Sequence, residues 1–251
     1  MLKKIALTAA AMLGIAGAAL ADGPPTRTYA PASDPFTNFQ VKVGLTGVIW
    51  NDTNHGVTLD GGAIAGADAH VGNMLLPTAT LTYFFTKNVS AELFCCFARP
   101  SVFADNTLRT GFGQDKLAST WAFPPIVTLQ YHFDRIGGVR PYVGAGVEYI
   151  HYFASKSETT GALAGYNNVR FRDSWGPVVQ AGFDYELGRG WSLGFDAKYV
   201  WEDTRISWTN AAGSIISTRH SLDPLLLTVN LGYRFNLEDV LGRRVAYEPM
   251  K

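Results

Sequence analysis

Apolar and polar residues alternate with a period of two along most of this 251-residue chain. Between residues 225 and 235 every odd-numbered residue is apolar, and residues 75–86 follow the same rule. Such alternation is typical of a β-strand with one apolar face. Strands of about 11 residues are long for a soluble domain and match the roughly 9–11 tilted residues that cross a bilayer. The pattern therefore predicts membrane-crossing strands.

Six further segments show the same alternation, so that eight strands are predicted in all. They are residues 39–50, 89–98, 122–133, 139–153, 175–187 and 191–201. The apolar face of each strand fits either the core of a soluble barrel or the lipid-facing wall of a membrane barrel. The opposite face favours the membrane barrel, because it is rich in Gly and Thr and has few of the Lys/Glu pairs that coat soluble sheets. Aromatic residues near the strand ends also resemble the girdles of outer-membrane barrels. These residues are Tyr83, Phe85, Tyr131, Phe133, Tyr185, Trp191, Tyr233 and Phe235.

The connections between the predicted strands alternate between short and long. Short turns lie at residues 86–88, 134–138 and 188–190, and the long connections are residues 51–73, 99–121, 154–173 and 202–221. This order is expected for periplasmic turns and extracellular loops, and an even number of strands closes the sheet as a bilayer requires. The predicted fold class is all-β: an eight-stranded antiparallel transmembrane β-barrel with short periplasmic turns and long extracellular loops.

The two ends of the chain and its charge balance predict the segments outside the barrel and the location of the protein. Lys3 and Lys4, the apolar residues 5–18 and Ala19-Leu20-Ala21 form the pattern of a secretory signal peptide, which we assign to residues 1–21. We predict a periplasmic segment over residues 22–38, the barrel over 39–235 and a periplasmic tail over 236–251. The formal net charge is zero, which gives no electrostatic footprint for nucleic acid. The expected location is the bacterial outer membrane.

The sequence offers little chemistry for catalysis. The five histidines lack the short spacing of zinc ligands, so we expect no metal, no cofactor and no catalytic residue. The enzyme alternative is a lipid-modifying barrel that uses the outward-facing His151 with Ser155 or Ser157. An interfacial histidine that anchors at the headgroups, between Tyr149 and Phe153, is the interpretation we favour.

Four motifs together resemble the outer membrane protein W family. They are residues 140–146 (Arg-Pro-Tyr-Val-Gly-Ala-Gly), residues 173–176 (Asp-Ser-Trp-Gly), Pro124-Pro125 and the final Gly232-Tyr233-Arg234-Phe235. The resemblance covers about residues 39–235. It implies a monomeric barrel with a narrow apolar channel, associated with uptake of small hydrophobic molecules, and a terminal aromatic resembling the signal read by the barrel assembly machinery. Family members typically end at that aromatic, whereas this chain continues to Lys251.

Strand parity and loop order assign each inward residue a height in the lumen. The lower half receives four cations and four carboxylates, which we expect to pair because an unpaired buried charge is costly. An eight-stranded barrel has room only for its own side chains or one small ligand, so these residues predict a polar plug. The plug residues are Lys42, Glu92, Arg140, Asp184, Glu186, Asp196, Lys198 and Arg234.

The inward residues of the upper half are mostly apolar and predict a pocket for a small hydrophobic ligand or detergent. The alternative is that they only fill the barrel. The predicted pocket residues are Val48, Trp50, Leu76, Pro124, Ile126, Ile150, Tyr152, Val178, Val200 and Leu226.

A plugged floor implies that a ligand leaves sideways, between strands, into the membrane. Proline cannot donate to a strand ladder, so Pro77 and Pro124-Pro125 either weaken pairing beside such an opening or simply end and kink strands. A further alternative is a structural or receptor barrel, an adhesin or a phage or bacteriocin receptor, whose long loops make the contacts.

Overall fold

The computed structural model describes residues 37–105, 109, 115–158 and 164–236. The predicted signal peptide, most of the predicted N-terminal segment and the tail beyond residue 236 lie outside these residues. Within the described ranges, no helix is long and apolar enough to span a membrane.

The described residues form sixteen β-strands. They are β1 (Phe39–Ile49), β2 (Thr53–Leu59), β3 (Gly62–Ala63), β4 (Ala67–Val71), β5 (Met74–Phe84), β6 (Val89–Cys95), β7 (Ser101–Asp105), β8 (Lys116–Phe123), β9 (Ile126–His132), β10 (Val139–Ser157), β11 (Asn168–Phe171), β12 (Ser174–Gly188), β13 (Trp191–Val200), β14 (Asp203–Thr209), β15 (Ile215–Ser221) and β16 (Leu225–Phe235).

Eight of these strands close into an antiparallel barrel, as the alternation predicts. Around the wall their order is β12, β13, β16, β1, β5, β6, β9 and β10, and β10 pairs back to β12. The first and last strands meet in register, with Phe39 opposite Phe235 and Lys42 opposite Gly232. Because a slip of one residue would exchange the two faces of a strand, this register keeps every apolar face on the same side of the wall.

The wall is apolar outside and polar inside, the reverse of a soluble barrel. Outward residues such as Leu129 and Val43 are 60% and 57% exposed, whereas the inward Lys42 is 2% exposed. Aromatic pairs border the outward surface at both ends. Near the short turns, the ring centroids of Trp191 and Tyr233 are 5.0 Å apart. Near the long connections, those of Tyr149 and Trp175 are 4.6 Å apart. A broad apolar belt between two aromatic borders fits a bilayer.

The long connections contain more regular structure than the sequence pattern predicts. Strands β11, β14, β15, β2 and β3 form a second sheet, and β8, β7 and β4 continue the wall outward from β10. The predicted strand 122–133 is also divided, because β8 ends at Phe123 and β9 begins at Ile126. The two intervening prolines have no N–H to donate to a ladder, which explains the break.

Candidate functional site in the barrel lumen

A buried ion pair lies on one side of the lower lumen. Lys42 Nζ lies 2.8 Å from Asp184 Oδ1, and both side chains are 2% exposed. Gln40 Nε2 donates to Asp184 Oδ2 at 3.3 Å and to Ser192 Oγ at 3.1 Å. These partners satisfy charges that would be costly to bury alone. The strands β1, β12 and β13 are thereby joined across the lumen.

A second cluster centres on Lys198. Its Nζ lies 3.0 Å from Glu92 Oε1 and 2.5 Å from Asp196 Oδ1. Gln180 Nε2 donates to the same two carboxylates, at 2.9 Å to Glu92 and 2.6 Å to Asp196. The Tyr142 hydroxyl donates to Asp196 Oδ2 at 2.8 Å. Every carboxylate in this cluster has a cation or a neutral donor.

The two clusters form one close-packed layer, which we call the floor: Gln40, Lys42, Glu92, Tyr142, Gln180, Asp184, Ser192, Asp196 and Lys198. The Tyr142 ring joins them, since Lys42 Nζ lies 4.9 Å from its centroid. Glycines admit the bulky side chains. A Cβ at Gly194 would lie 2.4 Å from Asn230 Oδ1 and 2.7 Å from Asp184 Oδ1. The floor side chains are at most 4% exposed and bond one another across this level of the lumen.

Three of the eight predicted plug residues lie nearer the periplasmic rim than the floor. Arg140 donates from Nη2 to the carbonyl of Lys87 in a short turn. Glu186 pairs with Arg135 at 2.5 Å and is partly exposed, next to a register shift in β12. The third, Arg234, lies over the Phe84 ring at 4.5 Å. The structure brings the other five together in the floor. Parity alone places all eight inward but does not resolve their height near strand ends.

An apolar cavity lies above the floor. Thr46 separates the two levels, bonding Thr78 at 2.9 Å and Thr228 at 2.7 Å. Six predicted pocket residues line the cavity: Val48, Trp50, Leu76, Pro124, Ile150 and Leu226. The structure adds Met74, Cys96, Ala98, Pro100, Ala122, Glu148, Glu202 and Pro224 to the lining. The other four predicted residues, Ile126, Tyr152, Val178 and Val200, are buried in the same apolar cluster without lining this space.

The cavity is narrow, with about 30 Å³ of open space. This is about the share of volume that one water molecule takes in the liquid. The cavity therefore holds a molecule larger than water only when the lining side chains move apart.

Two carboxyl groups are buried in this otherwise apolar lining. Glu148 and Glu202 are 4% and 3% exposed. Glu202 Oε1 accepts hydrogen bonds from Tyr152 Oη at 3.1 Å and from Ser174 Oγ at 2.8 Å. Among the described residues, the Oε2 atoms of both glutamates have no hydrogen-bond partner. Glu202 lies in the connection between β13 and β14, and burial raises its pKa to about 7.

Neither glutamate is among the residues that the sequence predicts for the pocket. Glu148 does occupy an even-numbered, inward position of β10, so parity contains its signal. Glu202 follows the predicted end of its strand at residue 201. Extending the alternation by one residue would have included it.

The wall beside the cavity is incompletely paired. The β5–β6 ladder ends at Ala79 opposite Cys95. Pairing on this side resumes where the Gly72 N–H donates to the Ser101 carbonyl at 3.2 Å. Between these points, the described segments 74–78 and 96–100 share no backbone hydrogen bond. We call this stretch of wall the seam. Pro77 lies on one side of it and Pro100 on the other.

The seam borders the cavity directly. Met74 and Leu76 line the cavity from one side of the seam, and Cys96, Ala98 and Pro100 line it from the other. Segment 96–100 is held to β8 instead of β5, through reciprocal bonds between Ala98 and Ala122 of 3.0 and 2.9 Å.

The outward-facing histidine has an acidic partner. His151 Nδ1 lies 2.7 Å from Asp173 Oδ2, which also accepts from the Tyr149 hydroxyl at 3.0 Å. The two nearby serines are engaged elsewhere, since Ser155 Oγ bonds Thr120 Oγ1 and Ser157 Oγ donates to the Tyr166 carbonyl. In the ranges that the structure describes, no group of three or more His, Cys, Asp or Glu residues has metal-site geometry.

The closed eight-stranded wall, its apolar belt and its ion-paired interior define an outer-membrane β-barrel protein. The sequence profile of the OmpW family matches residues 37–235, and the chain belongs to this family. This agrees with the resemblance carried by the four sequence motifs.

Individual relatives match most of the chain. It is 31% identical over 222 residues to the uncharacterized outer-membrane protein y4mB of Sinorhizobium fredii, covering 88% of this chain and 90% of that protein. It is 28% identical to the dibenzothiophene metabolism operon protein PahQ of Pseudomonas aeruginosa, covering 77% and 87%. The crystal structure of the outer membrane protein OprG from Pseudomonas aeruginosa superposes with a TM-score of 0.72 at 25% identity, covering 80% of this chain and 96% of OprG.

Proposed function

We propose that this barrel takes up small hydrophobic molecules from outside the cell and releases them sideways into the outer membrane. A solute enters the apolar cavity from the extracellular end and leaves through the seam between β5 and segment 96–100. The observation that carries the proposal is the position of the cavity, directly above a closed floor and directly beside an unpaired stretch of wall.

The floor makes an axial route unfavourable. A solute that crossed it would have to separate buried ion pairs such as Lys42–Asp184, and an uncompensated buried charge is costly. The seam presents a lower barrier, because no backbone ladder between β5 and segment 96–100 has to be broken there. One side of the seam presents only Cys96, Ala98 and Pro100 to the cavity, so few bulky side chains have to move for a solute to pass.

The name of one relative is consistent with an apolar cargo. PahQ is named for an operon of dibenzothiophene metabolism, and dibenzothiophene is an apolar aromatic molecule. We extend this chemical class, small and apolar, to the present chain.

The proposal includes no catalytic role. Among the described residues His151 pairs with Asp173 and bonds no serine, and neither an apolar cavity nor an ion-paired floor supplies an activated nucleophile. We further propose that the barrel acts as a monomer in outer-membrane lipid and is inserted by the barrel assembly machinery.

The test compares transfer of naphthalene and of naphthalenedisulfonate into vesicles whose outer leaflet carries lipopolysaccharide. We expect the barrel to accelerate only naphthalene. Ala98→Phe, which fills the cavity beside the seam, should abolish the acceleration, whereas Ala181→Phe on the lipid-facing side of β12 should preserve it. Equal transfer of both solutes, or full activity of Ala98→Phe, would contradict the proposal.

A further inference from the structure

The apolar cavity contains a polar feature that hydrocarbon uptake alone does not require. We propose that Glu148 and Glu202 form a head-group subsite that accepts the ammonium group of an apolar amine. This inference rests on the proposed function and narrows its substrate class, from apolar molecules in general to those that carry one cationic hydrogen-bond donor.

The two glutamates differ from the floor carboxylates in lacking a cation. Glu92, Asp184 and Asp196 each lie within 3.0 Å of a lysine Nζ. In the described part of the chain, neither Glu148 nor Glu202 has an ion-pair partner. Both are nevertheless more than nine-tenths buried and line the cavity.

When both carboxyl groups are ionised, the free atoms at this site are acceptors. Tyr152 and Ser174 occupy only Oε1 of Glu202, so that one oxygen on each glutamate, Oε2, is available to a ligand. An ammonium brings three N–H donors and a positive charge, and charge-assisted hydrogen bonds are about twice as strong as neutral ones. It would also compensate buried negative charge that the protein itself leaves uncompensated.

The size of the cavity agrees with a head group. Its open space of about 30 Å³ is close to the volume of one ammonium group and far below that of a whole solute. The alkyl or aryl part then lies among the apolar side chains of the lining, such as Met74 and Leu226, or extends toward the seam. A metal cation fits this site poorly, because hard cations take six or more oxygen ligands and most of the lining is apolar.

The experiment compares three ligands that share one chain length, octylamine, octanol and octane, added to the full-length protein in lipid nanodiscs at mildly alkaline pH. Trp50 lines the cavity and its Nε1 has no acceptor in the described structure. Its indole N–H resonance, assigned by Trp50→Phe, therefore reports occupancy. Octyltrimethylammonium, which has the charge but no N–H donor, separates charge from hydrogen bonding.

We expect octylamine to bind about tenfold more tightly than octanol. Glu148→Gln and Glu202→Gln should each weaken octylamine about tenfold and leave octanol nearly unchanged. The control Glu158→Gln removes an exposed extracellular carboxylate, paired with Lys116 at 3.5 Å, and should change neither.

Equal affinity for amine and alcohol, or octylamine binding that survives both substitutions, would overturn the inference. If a glutamine variant does not fold, the ligand series on the unsubstituted protein still decides the question. If only the amine preference is wrong, octane and octanol still bind. If the proposed function is wrong, no apolar solute is bound or transferred.

Discussion

The lower and upper halves of the lumen are built by the same strands and the same alternation, yet they treat buried charge in opposite ways. In the floor, each carboxylate lies against a lysine, as Asp184 does against Lys42. Above it, Glu148 and Glu202 are equally buried among apolar side chains without a cation in the described structure. The negative charges of the floor are therefore compensated within the protein. In the cavity, Oε2 of each glutamate lacks a hydrogen-bond donor in the described structure, and neither carboxyl has a cation. Buried groups without partners are what a ligand can bind.

Removing Lys198, the floor cation that pairs with two carboxylates, should have the largest effect. Lys198→Met leaves Glu92 and Asp196 buried without their lysine, and breaking a buried pair in this way costs about 3–5 kcal/mol. The measurement is urea unfolding in lipid vesicles. Lys156→Met, at an exposed position of β10, should change stability by less than about 0.5 kcal/mol. A loss from Lys198→Met as small as that control would show that the floor is not an ion-paired layer.

The stability of the barrel should depend on pH through a carboxyl group in the upper half of the lumen. Burial raises the pKa of Glu202 from its ordinary 4.5 to about 7, with Glu148, Tyr152, Asp203 and Asp223 as its titratable neighbours. The folded state therefore binds this proton more tightly than the unfolded state, so stability should fall as pH rises from about 4.5 to 7.

The expected loss is on the order of 1–3 kcal/mol across that window, since one pH unit corresponds to about 1.4 kcal/mol. Comparing unfolding of the native protein with that of Glu202→Gln isolates this contribution, because the amide does not titrate. An identical pH slope in both proteins would contradict the assignment.

Packing in the floor can be tested with a matched pair of glycines. A Cβ at Gly194 would lie 2.4 Å from Asn230 Oδ1, whereas a Cβ at Gly47 meets its nearest atom at 3.9 Å. Gly194→Ala should destabilise the barrel by about 1–2 kcal/mol and Gly47→Ala should have little effect. Unfolding midpoints measured in the same lipid check this. Equal midpoints would mean that the floor can accommodate a Cβ atom at Gly194 and is not close-packed.

The wall and the division of the lumen could be predicted from the sequence, because period-two alternation fixes both the strands and the facing of each residue. The height of each residue along the barrel axis was predicted less well. Glu186 follows the inward parity but lies beside a register shift, and alternation contains no information about such shifts.

The extracellular strands were not predicted. Short strands such as β2 have largely exposed residues on both faces, so they lack the apolar–polar contrast that marks the wall. The seam was only partly predictable: Pro77 marks one edge, but the absence of pairing depends on how segment 96–100 attaches to β8.

The division of the lumen into an ion-paired floor and an apolar cavity beside the seam can be measured with a bound solute. The measurement is nuclear Overhauser contacts between naphthalene and the barrel in lipid nanodiscs. We expect contacts to the methyl groups of Met74 and Leu76, at the cavity and the seam. We expect none to the amides of Gly182 and Gly194, which pack against the floor residues Tyr142 and Asp184. Contacts that continue down to those glycines would contradict this division of the lumen, because they would place the solute on an axial path.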